Sequence, residues 1–305
     1  MKKEAREAIA KIFCSNNNFD TEDLAPNMEV VVAEVYAPFL LFIECLDTKQ
    51  FKGRNNPFDG FFINMLHRAS NTFGGMVSLI TTGHLQDAEV LSRSLTESSL
   101  TIQFLLKDDA EEKISHYLAS YYAGQKWKND KWQTAINDVD IHPHNRLIEE
   151  KNEIEGSAKD ICKYFIESAG GKWPKKPQSA SVDKIFKALN REIEYRTVYR
   201  AMCSQSHQNQ EDLVNSLLYS LSEDAGLEIK QKNEKHAFSI FICLWGMKYF
   251  LSTVEALGKY YNFSSVQKQC ELATEILDNH HAEVTHSLKM CVFPSGWAKH
   301  TVDGI

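Results

Sequence analysis

"TTGHLQDAEVLSRSLTESSLTIQFLLKDD" (residues 81–109) has the pattern of a corner between two helices. Its apolar residues recur at intervals of three and four rather than two, which is the spacing of one face of an α-helix. These residues are Leu85, Ala88, Leu91, Leu95, Leu100 and Phe104. Gly83 precedes them and can adopt the left-handed conformation in which helices commonly end. The stretch therefore predicts a helix that ends at Gly83 and a second helix that starts directly after it.

The same spacing extends over most of the chain, which holds only 14 glycines and 7 prolines. It predicts an all-α fold, a multi-helix bundle forming a single large domain with long antiparallel helices. Asn27 is predicted to cap the second helix, and Pro38 is predicted to kink or divide it. Another helix is expected to start after Asp108 and Asp109. The remaining helices are expected at about 3–14, 28–48, 59–81, 146–168, 181–206, 210–222, 234–261 and 264–290.

The organisation along the chain is predicted from its one clear linker, "AGGKWPKKPQSAS" (169–181). Residues 1–170 would form the N-terminal part of the bundle and residues 181–290 its C-terminal part, within one continuous domain. The linker is either a domain boundary or a long loop across the bundle. Residues 234–290 could form a semi-independent hairpin, and residues 291–305 are expected to be an irregular tail.

The composition points to a cytoplasmic protein with no membrane partner. Of the 305 residues, 43% are hydrophobic and 25% are charged, and the net charge of −7 argues against a general nucleic-acid coat. The seven cysteines are odd in number and form no CxxC pair, which is typical of reduced thiols. The longest apolar runs are shorter than the roughly 20 residues that span a bilayer.

"YRTVYRAMCSQSHQNQED" (195–212) places an arginine and a histidine at a spacing that suits catalysis. On a continuous helix, Arg200 and His207 would lie about 20° short of two full turns apart and share one stripe. Tyr199 and Ser206 would form a parallel stripe. An arginine can hold a phosphate and stabilise the charge of a phosphorane, and a histidine can move protons near neutral pH. The pair therefore suits metal-independent cleavage of RNA.

The spacing Arg200-x6-His207 resembles the R-x(4–6)-H motif of the HEPN superfamily. These all-α domains often act as metal-independent ribonucleases in bacterial toxin and phage-defence systems. The resemblance implies that Arg200 stabilises the phosphate and that His207 is the acid/base. It also implies a homodimer whose two motifs meet in one cleft, and no metal ion or other cofactor.

From about residue 56 to residue 220, the chain also resembles an uncharacterised family of bacterial helical proteins. Two segments carry this resemblance, "GHLQDAEVLSRSLTESSLTIQFLL" and, about a hundred residues later, "YRTVYRAMCSQSH". It implies a single bundle domain and predicts no chemistry. The residues that recur in that family are similar to six residues of this chain: Arg93, Glu97, Tyr195, Tyr199, Ser206 and His207.

A structural interpretation of the same residues stays open. Arg93 and Glu97 form an i, i+4 pair, and Glu97 could instead reach an arginine or His207 on a neighbouring helix. Because a buried charge must be paired, such a polar network would fix the register of the helices without any catalytic role. The protein would then be a non-catalytic interaction or sensor module with an exposed apolar face, binding a partner protein encoded nearby.

Residues 172–200 are locally basic, with eight lysines and arginines against three acidic residues, a local charge of +5. A basic segment of this kind can follow the backbone of RNA, and Trp173 could stack on a base. The residues predicted to bind RNA are Arg196, Lys175, Lys176 and Arg191. The alternative is an ordinary solvated face of a lysine-rich helix.

The other motifs favour structural roles. In "NHHAEVTH" (279–286), Glu283 and His286 have the spacing of half a di-iron site, but the chain has no second ExxH, so an exposed histidine-rich helix is the preferred interpretation. "DVDIHPHNR" (138–146) is predicted to be a surface loop. No GxSxG and no glycine-rich phosphate loop occurs. The aromatic residues of one helix are predicted to lie in the core: Tyr117, Tyr121, Tyr122 and Trp127.

Overall fold

The computed structural model describes residues 1–54, 56–137, 144–205 and 225–292 of the chain. Within these ranges the regular structure is entirely helical, and no residue lies in a β-strand. The predicted all-α, single-domain bundle is confirmed.

Eight helices of 15 residues or more are described, and shorter pieces connect them. The long helices are α1 (Lys3–Asn17), α2 (Pro26–Leu46), α4 (Phe58–Thr81), α5 (Leu85–Leu106), α6 (Ala110–Asn137), α7 (His144–Ser168), α10 (Ala225–Tyr260) and α11 (Ser264–Val292). A short 3₁₀ turn, Thr21–Asp23, precedes α2. The short helices are α3 (Lys49–Lys52) and α8 (Val182–Ala188). The segment α9 has three pieces: an α-turn (Glu192–Glu194), a π-helical turn (Tyr195–Tyr199) and an α-helix (Arg200–Gln205).

The corner predicted at residues 81–109 is confirmed. Gly83 has a φ of 79°, in the left-handed region that favours glycine. The backbone N–H of His84 reaches back to the carbonyl of Leu79 at 2.8 Å and satisfies a carbonyl at the end of α4. Helix α5 therefore turns back along α4 directly after this residue.

The start of α2 differs from the prediction. The helix begins at Pro26, so the predicted Asn27 cap is wrong and Ala25 occupies the capping position. Proline suits the first turn of a helix because its φ is already helical and its missing N–H would have no partner there. Pro38 does not divide the helix, which continues to Leu46.

The single helix predicted over residues 181–206 is wrong, because the chain breaks between α8 and α9. Asn190 has a φ of 58°, and the N–H of Arg191 donates to the carbonyl of Phe186 at 2.8 Å. Asparagine tolerates the left-handed conformation better than other residues with a side chain. The helix predicted at 210–222 lies outside the described residues. Those predicted at 234–261 and 264–290 are present, and α11 runs on to Val292, so the predicted irregular tail at 291–305 is wrong for its first two residues. Residues 293–305 lie outside the described ranges.

Helices α5 and α10 cross at close range in the centre of the bundle. A Cβ atom placed on Gly246 of α10 would lie 2.4 Å from Oγ of Ser92 and 3.3 Å from its Cα. The Ser92 hydroxyl donates to the carbonyl of Ile242 at 2.8 Å, and the Thr253 hydroxyl donates to the carbonyl of Ser99 at 3.0 Å. The small residues at the crossing therefore allow direct contacts between side chains and the opposite backbone.

One apolar core extends from Phe13 on α1 to Leu277 on α11. The rings of Phe73 on α4 and Phe250 on α10 stack within it, with centroids 5.3 Å apart and planes 14° apart. Because α10 also packs against α2, α5 and α11, the hairpin of residues 234–290 is part of this core. A second cluster joins α8 and α9 to α5 and α10; it contains Leu100, Phe186, Tyr199, Met202 and Tyr249.

By length and composition, one helical segment of the described residues could cross a membrane: Lys235–Tyr260, with a mean hydropathy of 1.5 over its most apolar window. Of that window, 61% is buried against the other helices. A central helix of a bundle has the same properties.

Candidate functional site

The π-helical turn of α9 presents Arg200 to solvent. Arg200 is exposed, and its guanidinium carbon lies 5.9 Å from the centroid of the Tyr195 ring. It forms no ion pair with an acidic residue in the described part of the chain. Single π-helical turns occur frequently at functional sites, where they change the direction in which side chains point.

A polar cluster lies between this turn and α5. It consists of Tyr199 on the turn and Arg93 and Glu97 on α5. The Nε of Arg93 donates to Oε1 of Glu97 at 2.9 Å, and the hydroxyl of Tyr199 donates to the same oxygen at 2.6 Å. The Arg93 guanidinium also lies 5.7 Å from the centroid of the Tyr199 ring. Burial and the hydrogen bond to Glu97 raise the pKa of Tyr199. Burial by itself would lower the pKa of Arg93, but the hydrogen bonds and charges around it raise it.

The cluster is continuous with the exposed arginine through two stacked rings. Tyr195 and Tyr199 are 5.5 Å apart with an interplanar angle of 19°. Arg200, Tyr195, Tyr199 and Glu97 therefore form one chain of contacts from solvent to α5. The two other predicted members of this site, Ser206 and His207, lie outside the described residues.

The predicted RNA-binding residues separate into paired and unpaired cations. Arg196 pairs with Glu192 at 3.1 Å, and Arg191 pairs with Glu194 at 3.6 Å and lies over the ring of Tyr249. Six cations of the 172–200 segment have no ion pair among the described residues, and all six are exposed: Lys172, Lys175, Lys176, Lys184, Lys187 and Arg200. Trp173 is half-buried, with its ring in edge contact with Tyr122 at 6.0 Å.

A cleft of about 1120 Å³ lies between α4, α5, α6 and the segment 178–185. Glu97 is part of its wall, so the cluster at α9 borders the cleft. Tyr117 and Tyr121 also line it and are 38% and 56% exposed, and Trp127 is 62% exposed. The prediction that these aromatic residues lie in the core is wrong, because helical spacing identifies a face but not whether another helix covers it.

His116 anchors one wall of the cleft, and sequence reasoning gave it no role. Its Nδ1 accepts a hydrogen bond from the backbone N–H of Gln178 at 3.2 Å, and its Nε2 lies 4.0 Å from Oε1 of Glu112. The linker is thereby fixed against α6. Because the residues of the cleft come from four separate parts of the chain, no local motif could have indicated them.

The histidines of "NHHAEVTH" have different environments on α11. Nδ1 of His280 lies 3.5 Å from Glu283, whereas His281 packs between Phe241 and Trp245 at 4.8 and 5.2 Å. Burial lowers the pKa of His281. The predicted exposed histidine-rich helix is therefore correct for His286 but not for His281, which is half-buried. Over the part of the chain that the structure describes, no three His, Cys, Asp or Glu residues form a group that could hold a metal ion.

We expect Tyr199 and Glu97 to be energetically coupled. Tyr199→Phe removes a hydrogen bond to a carboxylate and should lower the free energy of unfolding by about 1–2 kcal/mol. Glu97→Gln should have a similar effect, and the double variant should be less destabilised than the sum, with a coupling energy of about 1 kcal/mol. Urea unfolding measures all three.

Tyr164→Phe is the matched control, since Tyr164 is 75% exposed on α7 and should change stability by less than about 0.5 kcal/mol. Additive effects of the two network variants would show that the 2.6 Å contact contributes nothing to folding.

The profile of DUF5677, a family of unknown function, matches residues 59–226, a range that runs from the second residue of α4 through α9 and includes the polar cluster. Neither the curated proteins nor the solved structures include a match to this chain.

Proposed function

We propose that this chain, which belongs to the DUF5677 family, binds RNA and cleaves it without a metal ion in the manner of HEPN ribonucleases. The observation that supports this most directly is Arg200. It is an exposed cation without an ion pair in the described residues, and it lies at the end of a π-helical turn in a segment of net positive charge.

The reaction would use Arg200 and His207 in the roles that the HEPN resemblance implies. His207 would take the proton from a ribose 2′-hydroxyl as the 2′-oxygen attacks the adjacent phosphorus. Arg200 would hold the two free phosphate oxygens while negative charge builds up on them. The bond to the 5′-oxygen breaks, that oxygen takes up a proton, and the products carry a 2′,3′-cyclic phosphate and a 5′-hydroxyl. Arg196 and Lys172, Lys175 and Lys176 would hold the RNA backbone.

The proposal includes the setting in which such enzymes work. A homodimer would bring two copies of the Arg200 surface together, and the RNA target would belong to a bacterial stress, toxin or phage-defence response. Both follow from the resemblance of the Arg200-x6-His207 motif.

A second candidate function rests on a different surface. Ile154, Ile161 and Tyr164 on α7 are 67%, 68% and 75% exposed, and their spacing of seven and three places them along one stripe. An exposed apolar stripe is typical of a surface that binds another protein. It is the observation that favours an interaction or sensor module.

Binding of RNA at different salt concentrations tests the first proposal. If the linker lysines contact phosphates, the affinity of the wild type for RNA falls steeply as the salt concentration rises. Replacing Lys172, Lys175 and Lys176 by glutamine should then make the plot of log K against log salt less steep, reducing the magnitude of its negative slope by about 2–3. The affinity for unrelated RNA sequences should fall by similar factors, because phosphate contacts carry no sequence information.

The matched control replaces three exposed lysines by glutamine: Lys2, which precedes α1, and Lys3 and Lys11, which lie on it. It changes the net charge equally and should leave the slope unchanged. Equal slopes for the two triple variants would contradict binding by the linker, and no retention of RNA at low salt would favour the interaction module.

A further inference from the structure

The cleft between α4, α5, α6 and α8 has its own set of binding groups. Its volume of about 1120 Å³ exceeds what an inorganic anion needs and reaches the upper end of the range for small-molecule sites. Its walls are contributed by separate helices and by the linker that His116 fixes to α6.

One wall offers aromatic faces. Tyr117 and Tyr121 follow each other by one turn of α6, and the ring of Phe61 on α4 makes edge contact with Tyr117 at 6.1 Å. Both tyrosine rings are more than a third exposed, and their hydroxyls have no hydrogen-bond partner among the described residues. Partly exposed rings in a concave wall are suited to stack on a planar group.

Three cations from three different helices line the same cleft: Arg68 on α4, Lys113 on α6 and Lys184 on α8. Arg68 and Lys184 are exposed, with no ion pair in the ranges that the structure describes. Lys113 is half-buried; its ammonium group donates to the carbonyl of Lys107 and lies 4.9 Å from the centroid of Phe104. Such a set can neutralise a phosphate group carrying more than one negative charge.

The cleft is also lined by three acidic residues, Glu97, Asp109 and Glu112. Glu97 already pairs with Arg93 and accepts from Tyr199, while Asp109 and Glu112 are exposed. Asn71 and Ser98 add an amide and a hydroxyl that have no hydrogen-bond partner among the described residues, and these can bond to the hydroxyls of a sugar.

We infer that this cleft binds a mononucleotide, with the base against Tyr117 and Tyr121 and the phosphate held by Arg68, Lys113 and Lys184. A base, a sugar and a phosphate match the aromatic, neutral polar and cationic parts of the wall. The cleft is a ligand site distinct from the RNA surface at α9, so either one can exist without the other.

Isothermal titration of the full chain with AMP, GMP, CMP and UMP in EDTA tests the inference. At least one mononucleotide should bind, and its nucleoside or inorganic phosphate alone should bind at least about 10-fold more weakly. Arg68→Gln should weaken binding about 10-fold by removing a charged partner of the phosphate. Tyr121→Ala should weaken it by a similar factor, and Tyr121→Phe should restore it because the ring is kept.

Arg196→Gln and Tyr164→Ala are matched controls, since both residues are exposed and neither lines the cleft. They should change the dissociation constant by less than about twofold. The inference is overturned by the absence of binding at about 1 mM for all four mononucleotides. It is also overturned by binding that responds to Arg196→Gln and not to Arg68→Gln, because the nucleotide would then occupy the α9 surface. RNA retention by the Arg68→Gln variant reports separately on the proposed ribonuclease.

Discussion

Phe250→Ala should lower the free energy of unfolding by about 3–5 kcal/mol, the usual loss when a fully buried phenylalanine is truncated. Phe250 is completely buried on α10 and contacts Phe73 of α4 and Phe39 of α2, with ring centroids 5.3 and 6.0 Å away. Alanine would leave a cavity where α2, α4 and α10 meet. Urea unfolding followed by circular dichroism gives the change.

Two further variants control for this prediction. Phe250→Leu keeps most of the buried volume and should cost less than half as much. Tyr164→Ala removes an aromatic ring of similar size from the surface of α7 and should cost less than about 0.5 kcal/mol. A loss below about 2 kcal/mol for Phe250→Ala would mean that α10 is not packed as the central helix of the core.

The fold could be predicted because its main signals are local. The corner at Gly83 depends on one glycine and on apolar spacing within about twenty residues, both of which are visible in the sequence. The break at Asn190 was missed because the apolar spacing continues across it. Helix α8 ends because Asn190 adopts the left-handed backbone conformation. In the sequence alone, an asparagine at this position is compatible with either a break or a continuous helix.

In the candidate site, too, contacts between residues close in sequence could be predicted, whereas contacts between distant residues could not. The Arg93–Glu97 contact is an i, i+4 pair, so spacing was enough to predict it. The contact of Glu97 with Tyr199 joins residues 102 positions apart, and its formation depends on how α9 packs on α5. An arginine or His207 on a neighbouring helix was the predicted alternative partner of Glu97, whereas in the structure Glu97 is bonded to Tyr199 in addition to Arg93.

The cleft shows why exposure was the hardest property to predict. Tyr117 and Tyr121 have the spacing of a buried helix face, yet α6 and α7 pack mainly against each other and leave this face open. Whether a face is buried depends on the lengths and directions of helices far away in sequence. A sequence pattern cannot contain that information, and so this cleft was not anticipated.

Arg200→Ala and His207→Ala should each slow RNA cleavage by at least about 100-fold, the usual effect of removing a charge-stabilising group or a general acid/base. The assay uses purified protein with tRNA in excess EDTA and detects 2′,3′-cyclic phosphate ends. Arg200→Ala should leave the free energy of unfolding within about 0.5 kcal/mol of wild type, because the side chain is exposed and its guanidinium lies over the Tyr195 ring.

Arg196→Ala is the matched control for the catalytic role, since Arg196 is an exposed arginine one turn away that already pairs with Glu192. It should weaken RNA binding at low substrate concentration and leave the rate at saturating RNA nearly unchanged, because it would contact only the backbone. Cleavage by Arg200→Ala at the wild-type rate would exclude Arg200 from the reaction. If the wild type does not cleave RNA and Arg200→Ala or His207→Ala lowers the free energy of unfolding, the residue replaced in that variant has a structural role. The exposed apolar stripe on α7 then becomes the better guide to function.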